Sequence, residues 1–209
     1  MKNYEFITLE GIEGVGKSTA IQVVKRILEE KGRDVVITRE PGGTAIGEKV
    51  RDILLSTQNN AMSPVSELFL LLAARAQHLS EVVSPALVSG KCVVCDRFFD
   101  ATFAYQGAGR GVDTSIIKSA TDLISPFFIP TLTLLLDAPV EVGFQRIKNR
   151  GHTDRFEEQN RVFFERIRAS YLNRARLEPK RFCVIDASQS LGEVSNSVEL
   201  ILQEKFGSI

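Results

Sequence analysis

The chain has 209 residues, 44% hydrophobic and 25% charged, which suits a soluble globular protein with a substantial core. Twenty-six basic residues balance twenty-six acidic ones, so no global field favours nucleic acid or an anionic membrane, and any anion binding must be local. The longest apolar run, Leu68–Ala74, stops at Arg75, too short to span a bilayer, and the Met1-Lys2-Asn3-Tyr4-Glu5 start predicts no secretory signal.

The first strand is predicted over Glu5–Leu9 and runs into Gly11-Ile12-Glu13-Gly14-Val15-Gly16-Lys17-Ser18, a full match to G-x-x-x-x-G-K-[ST]. A helix over Lys17–Lys31, closed by Gly32, supplies the context that motif needs. The glycines let backbone N–H groups converge on phosphate oxygens, and the helix N-terminus adds positive partial charge. Lys17 would reach the β- and γ-phosphates, and the Ser18 hydroxyl would ligate Mg²⁺. Glu13 is unexpected in a phosphate-binding loop, because a carboxylate there is repelled unless something offsets it. It can turn toward a sugar hydroxyl or a Mg²⁺-bound water, pair with an arginine, or face solvent.

The second strand, Val35–Thr38, ends in Arg39-Glu40-Pro41-Gly42-Gly43-Thr44, and helices follow over Ala45–Leu55 and Pro64–Ser89, with Pro85 expected to distort the latter. The third strand, Cys92–Cys95, ends in Asp96-Arg97-Phe98. In open parallel sheets ligands sit beyond the carboxyl ends of the strands, which places Arg39 and Arg97 at an acceptor phosphate and Asp96 as a second carboxylate near Mg²⁺. Cys92, Cys95 and Cys183 read as ordinary thiols of a reducing, cytoplasmic compartment, since half a zinc motif without a second pair makes no metal site. Further elements are helix Thr114–Ile124, strand Thr131–Leu136, helices Pro139–Asn149 and Glu157–Leu177, strand Phe182–Ile185 and helix Leu191–Lys205. All five strands are apolar without polar alternation, as for strands buried on both faces, and the βα alternation predicts one domain over residues 1–209: a parallel sheet covered by helices on both faces. His78 and His152 stand alone and are expected to be non-catalytic.

Arg-Glu-Pro-Gly-Gly-Thr (39–44), Ala73-Ala74-Arg75-Ala76-Gln77-His78, Asp96-Arg97-Phe98, Ala104-Tyr105-Gln106-Gly107 and Gly109-Arg110-Gly111, together with Glu10 to Thr19, resemble the thymidylate kinase family along nearly the whole chain. The resemblance implies a P-loop nucleoside monophosphate kinase fold with strand order 2-3-1-4-5 and conversion of dTMP and ATP to dTDP and ADP with Mg²⁺. It also implies a cytoplasmic homodimer that binds neither nucleic acid nor membrane. It further implies ATP contacts from Gly11 through Thr19, with Arg146 stacking on adenine. On the acceptor side it implies that Arg39 and Arg97 hold the phosphate, that Arg75 donates to a thymine carbonyl, that Gln106 approaches the base, and that Tyr105 sits where a 2′-hydroxyl would go. Some members carry a catalytic arginine in the P-loop. Here that place is Gly14, so Arg150 or Arg155, in a lid of about 146–156, is expected to stabilise the transferring phosphoryl group. Two departures stand out. The position where many members stack a phenylalanine on thymine is Leu71, with Phe69 two residues earlier taking over the base contact if the helix register shifts, and a frequent serine is replaced by Ala101 beside Thr102, which keeps a hydroxyl.

Other readings are a kinase of another nucleoside monophosphate or of a deoxyribonucleoside, a GTPase switch, or a nucleic-acid-binding module. The GTPase lacks its Asn-Lys-x-Asp and Asp-x-x-Gly segments, and the nucleic-acid module lacks a basic stripe with interleaved aromatics. Arg161, Arg166, Arg168, Arg174 and Arg176 are expected to form a solvated helix face.

Overall fold

The structure, a computed structural model, describes residues 5–124, 127–148 and 154–207. Five strands, β1 (Phe6–Glu10), β2 (Val35–Arg39), β3 (Cys92–Asp96), β4 (Leu132–Asp137) and β5 (Phe182–Asp186), form one all-parallel sheet in the order 2-3-1-4-5. β1, β3 and β4 are buried along almost their whole length, which is why they read as unbroken apolar runs. The edge strands β2 and β5 are only partly covered. Each strand ends on a charged residue (Glu10, Arg39, Asp96, Asp137 or Asp186), one position beyond the apolar segment that predicts it. Polar chemistry is thereby gathered at the carboxyl edge of the sheet, where the order reverses between β1 and its neighbours.

Helices cover both faces: α1 (Lys17–Glu30), α2 (Ala45–Leu55), α3 (Pro64–His78), α4 (Ser84–Val88), α5 (Phe99–Thr102), α6 (Thr114–Ile124), α7 (Val140–Lys148), α8 (Arg161–Leu177) and α9 (Leu191–Phe206). α1 packs beside α9, and α8 packs on β4 and β5. Side-chain oxygens of Thr44, Ser63, Asn160 and Ser190 accept from the first-turn amides of α2, α3, α8 and α9.

The structure bears out the distortion expected near Pro85 and corrects two other expectations. The helix expected over 64–89 is interrupted by a π-helical turn at Leu79–Val83, which accommodates the ring of Pro85 and its missing N–H. α8 starts at Arg161, where Asn160 caps it, and not at Glu157. Residues Phe99–Gly109 are helical, as α5 followed by a second π-helical turn over Phe103–Gly109, in a stretch where no element was expected. Glycines at 107 and 109 hide that helix from a propensity reading.

The arginines of α8 are not simply a solvated face. Arg174 donates to Asp100 at 2.5 Å, and Arg181 grips both oxygens of that fully buried carboxylate at 2.7 and 2.9 Å. Arg168 makes a bidentate pair with Asp137, both contacts 2.7 Å. Arg181 also donates to Thr133, which is bonded to Thr8, so the cluster ties α5 and α8 to the centre of the sheet.

Candidate active site

The phosphate-binding loop joins β1 to α1, and its shape follows from two glycines. Gly11 has φ 134°, and a Cβ there would lie 2.3 Å from the Leu136 carbonyl oxygen. Gly14 has φ 76°, and its Cβ would lie 2.4 Å from the carbonyl oxygen of Gly143 in α7. Position 14 thus admits no side chain of any kind, and the family's P-loop arginine has no place here. Gly16, in the left-handed region, leaves the N-terminus of α1 without a side-chain cap and with no acidic residue in the first turn. Those amides open toward a crevice that Lys17, Ser18, Arg39, Arg51, Asp96 and Arg97 help to line. The Lys17 ammonium rests on the Gly11 and Ile12 carbonyls at 3.1 and 2.8 Å, and burial beside the positive charge of Arg97 lowers its pKa to about 8.

Arg97 follows β3 in the left-handed region at φ 67°, a strained setting for arginine that costs on the order of 1–3 kcal/mol. Its guanidinium offsets that cost by donating to the Gly11 carbonyl (2.8 Å), Glu13 (3.0 Å) and the Tyr171 hydroxyl (3.1 Å). Glu13 also accepts from the Tyr105 hydroxyl at 2.7 Å. Of the alternatives open for Glu13, the pairing with an arginine is the one seen. Below this group lies Glu10, fully buried, accepting from the Phe98 amide and the Tyr171 hydroxyl at 2.7 Å each. Burial and the charge of Asp100 push its carboxyl up to about 8, against the pull of Arg97, Tyr171 and the Phe98 amide.

Asp96 Oδ1 is buried with no hydrogen-bond partner among the described residues, and the Ser18 hydroxyl lines the same crevice. An unpartnered hard anionic oxygen and a serine lining one phosphate crevice fit a divalent cation. Arg39 reaches the crevice from the end of β2 but is half-exposed and paired with Glu48 at 2.7 Å.

On one side the crevice meets a cavity walled by Leu71, Arg75, Phe98, Thr102, Tyr105 and Gln106, and Arg97, Glu40 and Pro41 line both spaces. Arg75 is buried; its Nε donates to Glu40 (2.7 Å), one Nη to Thr102 (2.9 Å), and Nη1 has no partner among the described residues. Glu40 in turn pairs with His78, which Thr38 contacts at 2.6 Å, so this histidine holds the wall and does not face substrate. Leu71 lines the cavity while Phe69 is 64% exposed, which removes Phe69 as a base-stacking residue; two helical residues apart, the pair point to different sides of α3. On the other side a further space is bounded by Gly16, Thr19, Arg146, Ala187, Gln189 and Leu191. Arg146 donates to the Ala187 carbonyl at 3.0 Å and lines both this space and the crevice.

Arg155 is not where a phosphoryl-stabilising arginine belongs. It is 2% exposed, bonded to Glu67 (2.6 Å) and the Leu54 carbonyl (2.8 Å), with its guanidinium 4.7 Å from the Phe156 ring centroid. A guanidinium paired this deeply is committed to the fold. Arg150, Gly151 and His152 lie outside the described residues.

Residues that sequence reasoning missed are Arg51, whose Nη1 donates to the Pro41 carbonyl at the crevice edge, Ala187 and Gln189 after β5, Tyr171, and Glu67. Arg51 sits seven residues into a helix that starts beside the crevice, and that helical phase was the available signal. Glu67 and Tyr171 act on partners 39 and 161 residues away, which no local pattern reports.

A family model described as thymidylate kinase matches residues 9–198. The chain is 49% identical over 199 residues to a thymidylate kinase of Pseudomonas syringae pv. tomato, covering 95% of each chain. It is 48% identical to one of Alcanivorax borkumensis, covering 95% of this chain and 96% of that one. A crystal structure of thymidylate kinase from Ehrlichia chaffeensis superposes with a TM-score of 0.77 at 34% identity, covering 95% of this chain and 98% of that one. Sheet order, phosphate loop, paired cavities and similarity over nearly the full length agree: the chain belongs to the thymidylate kinase family.

Proposed function

We propose that this enzyme transfers the γ-phosphoryl group of ATP to dTMP, giving dTDP and ADP, with the whole chain acting as a single catalytic domain. The observation that carries the reading is a row of three adjoining spaces: one beside Arg146, the phosphate crevice over Lys17, and the cavity at Arg75 and Gln106 share walls in that order. Adenine occupies the first, the triphosphate lies along the loop amides, and the acceptor nucleoside fills the third with its phosphate at Arg97. Catalysis is then positioning and charge neutralisation. On nucleotide binding Lys17 leaves the Gly11 and Ile12 carbonyls for the β- and γ-phosphates. Arg39, released from Glu48, joins Arg97 on the acceptor phosphate. Glu13 keeps Arg97 and the Tyr105 hydroxyl in register, and the Tyr105 ring crowds the sugar edge, which disfavours a ribose hydroxyl. Asp96 and Ser18 would hold Mg²⁺, which when bound neutralises charge on the β- and γ-oxygens. With Arg155 committed elsewhere, the finger role falls to Arg150.

A homodimer fits the exposed apolar side chains that neighbouring helices α2, α3 and α6 share, Ile46, Ile53, Val65, Phe69, Ile116 and Leu123. No helix among the described residues is long and apolar enough to cross a membrane, and a cytoplasmic setting suits the free thiols. The deciding experiment is ADP release against a panel of nucleoside monophosphates. Clear preference for dTMP supports the reading, and equal or better turnover of another monophosphate refutes it.

A further inference from the structure

We propose that Glu67, which touches neither nucleotide, is a positioning residue that fixes the amide of Gln106 in one orientation and so excludes cytosine from the acceptor cavity. The inference rests on the reading of that cavity as the dTMP site. Glu67 sits in the first turn of α3 with no exposed surface. Every group facing it donates: Gln106 Nε2 at 2.7 Å, Arg155 Nη2 at 2.6 Å and Arg110 Nε at 3.4 Å. A carboxylate paired with arginines can only accept, so the NH₂ end of the Gln106 amide must point at it. The carbonyl end is left toward the cavity and accepts no hydrogen bond from any described residue.

Two residues that line the cavity thus keep a spare group each, Gln106 an acceptor at Oε1 and Arg75 a buried donor at Nη1. That pair complements a base edge carrying a carbonyl beside an imino N–H, which thymine and uracil present. Cytosine presents the reverse, an amino group beside an unprotonated ring nitrogen. A free glutamine could turn its amide over to donate to the ring nitrogen of cytosine, leaving Arg75 as the one group still opposed to the amino group. Here the turn would set its carbonyl against the Glu67 carboxylate, so the price of flipping is set by a residue behind the cavity wall.

The test is the ratio of kcat/KM for dTMP to that for dCMP, which is independent of the fraction of enzyme folded. In Glu67→Gln, Arg155 retains the one remaining acceptor and the new NH₂ faces Gln106, turning its carbonyl inward and its NH₂ to the cavity. The ratio should fall by about tenfold or more, the worth of one hydrogen bond reversed. A second variant guards against unfolding: Glu67→Met with Arg155→Met replaces the buried ion pair by apolar side chains of similar volume, which folds tolerate well. It frees the amide to turn, and the ratio should again fall by about tenfold. A purely structural Glu67 would slow both substrates in proportion. A ratio within twofold of wild type in the folded variants therefore overturns the proposal. Wild-type enzyme that does not prefer dTMP refutes the parent reading instead.

Discussion

Adding one methyl group at Gly143 tests whether α7 truly braces the phosphate loop. In a helix interior, alanine is favoured over glycine by about 1 kcal/mol, so Gly143→Ala should stabilise the protein if nothing lies near. Something does: its Cβ would sit 2.6 Å from the Glu13 carbonyl oxygen, and the contact must open by about 0.8 Å to reach an ordinary 3.4 Å. Overpacking of this kind costs about 1–3 kcal/mol, which exceeds the propensity gain and leaves a net loss near 1 kcal/mol. For a chain of this length that lowers Tm by about 2–4 °C. The displaced segment is the phosphate loop itself, and since a shift of about 1 Å at a catalytic group costs on the order of 100-fold, kcat should fall at least about tenfold. Gly192→Ala in α9 is the control, because its Cβ meets nothing within 4 Å; it should raise Tm slightly and leave kcat alone. Thermal unfolding and steady-state ADP release on both variants decide the matter. If Gly143→Ala behaves like Gly192→Ala, the bracing of the loop by α7 is wrong.

Three further outcomes follow from the same geometry. Arg155→Met should lower Tm by several degrees by leaving Glu67 with a single distant cation, whereas Arg150→Ala should leave Tm unchanged and reduce kcat by about 100-fold or more; unfolding and turnover together separate them, and the reverse pattern would return the finger role to Arg155. Asp100→Ala should cost about 3–5 kcal/mol by stranding the guanidinium of Arg181, and a Tm within two degrees of wild type would contradict that cluster's structural weight. Glu10 has a carboxyl pKa near 8 in the fold against 4.5 when unfolded, so the folded state holds its proton longer and stability falls as pH rises from about 4.5 through 8. Glu10→Gln should flatten that decline in urea midpoints, and parallel pH curves for variant and wild type would refute the assignment.

The ends of β1 and β3 were legible because burial on both faces leaves apolar runs, and the residue after each run faces the ligand edge, whereas the strand order came only with the family resemblance. Asp96 and Arg97 were found in that way, and Lys17 through the G-x-x-x-x-G-K-[ST] motif. The start of α3 at Pro64 was legible, but the sequence does not say which face of that helix meets the cavity, so only the fold separated Leu71 from the exposed Phe69. Arg155 was misplaced for a different reason. A basic residue near a lid looks the same in sequence whether it meets phosphate or a buried carboxylate 88 positions away. Glu67 was invisible on the same ground: an acidic residue in a helix's first turn is ordinary, and nothing local says that it is buried.

The π-helical turn at Phe103–Gly109 carries a consequence for how this enzyme can change. Such a turn holds one residue more than regular winding, and here the surplus lets Tyr105 and Gln106, adjacent in sequence, both reach the cavity. No exchange of side chains removes a surplus residue; only shortening the backbone does. A one-residue deletion would restore even winding and rotate everything on one side of it around the axis, carrying a cavity residue away from the base. Along this stretch, acceptor choice is therefore tied to chain length, and natural or engineered shifts in substrate should appear there as gaps in an alignment more than as exchanged letters.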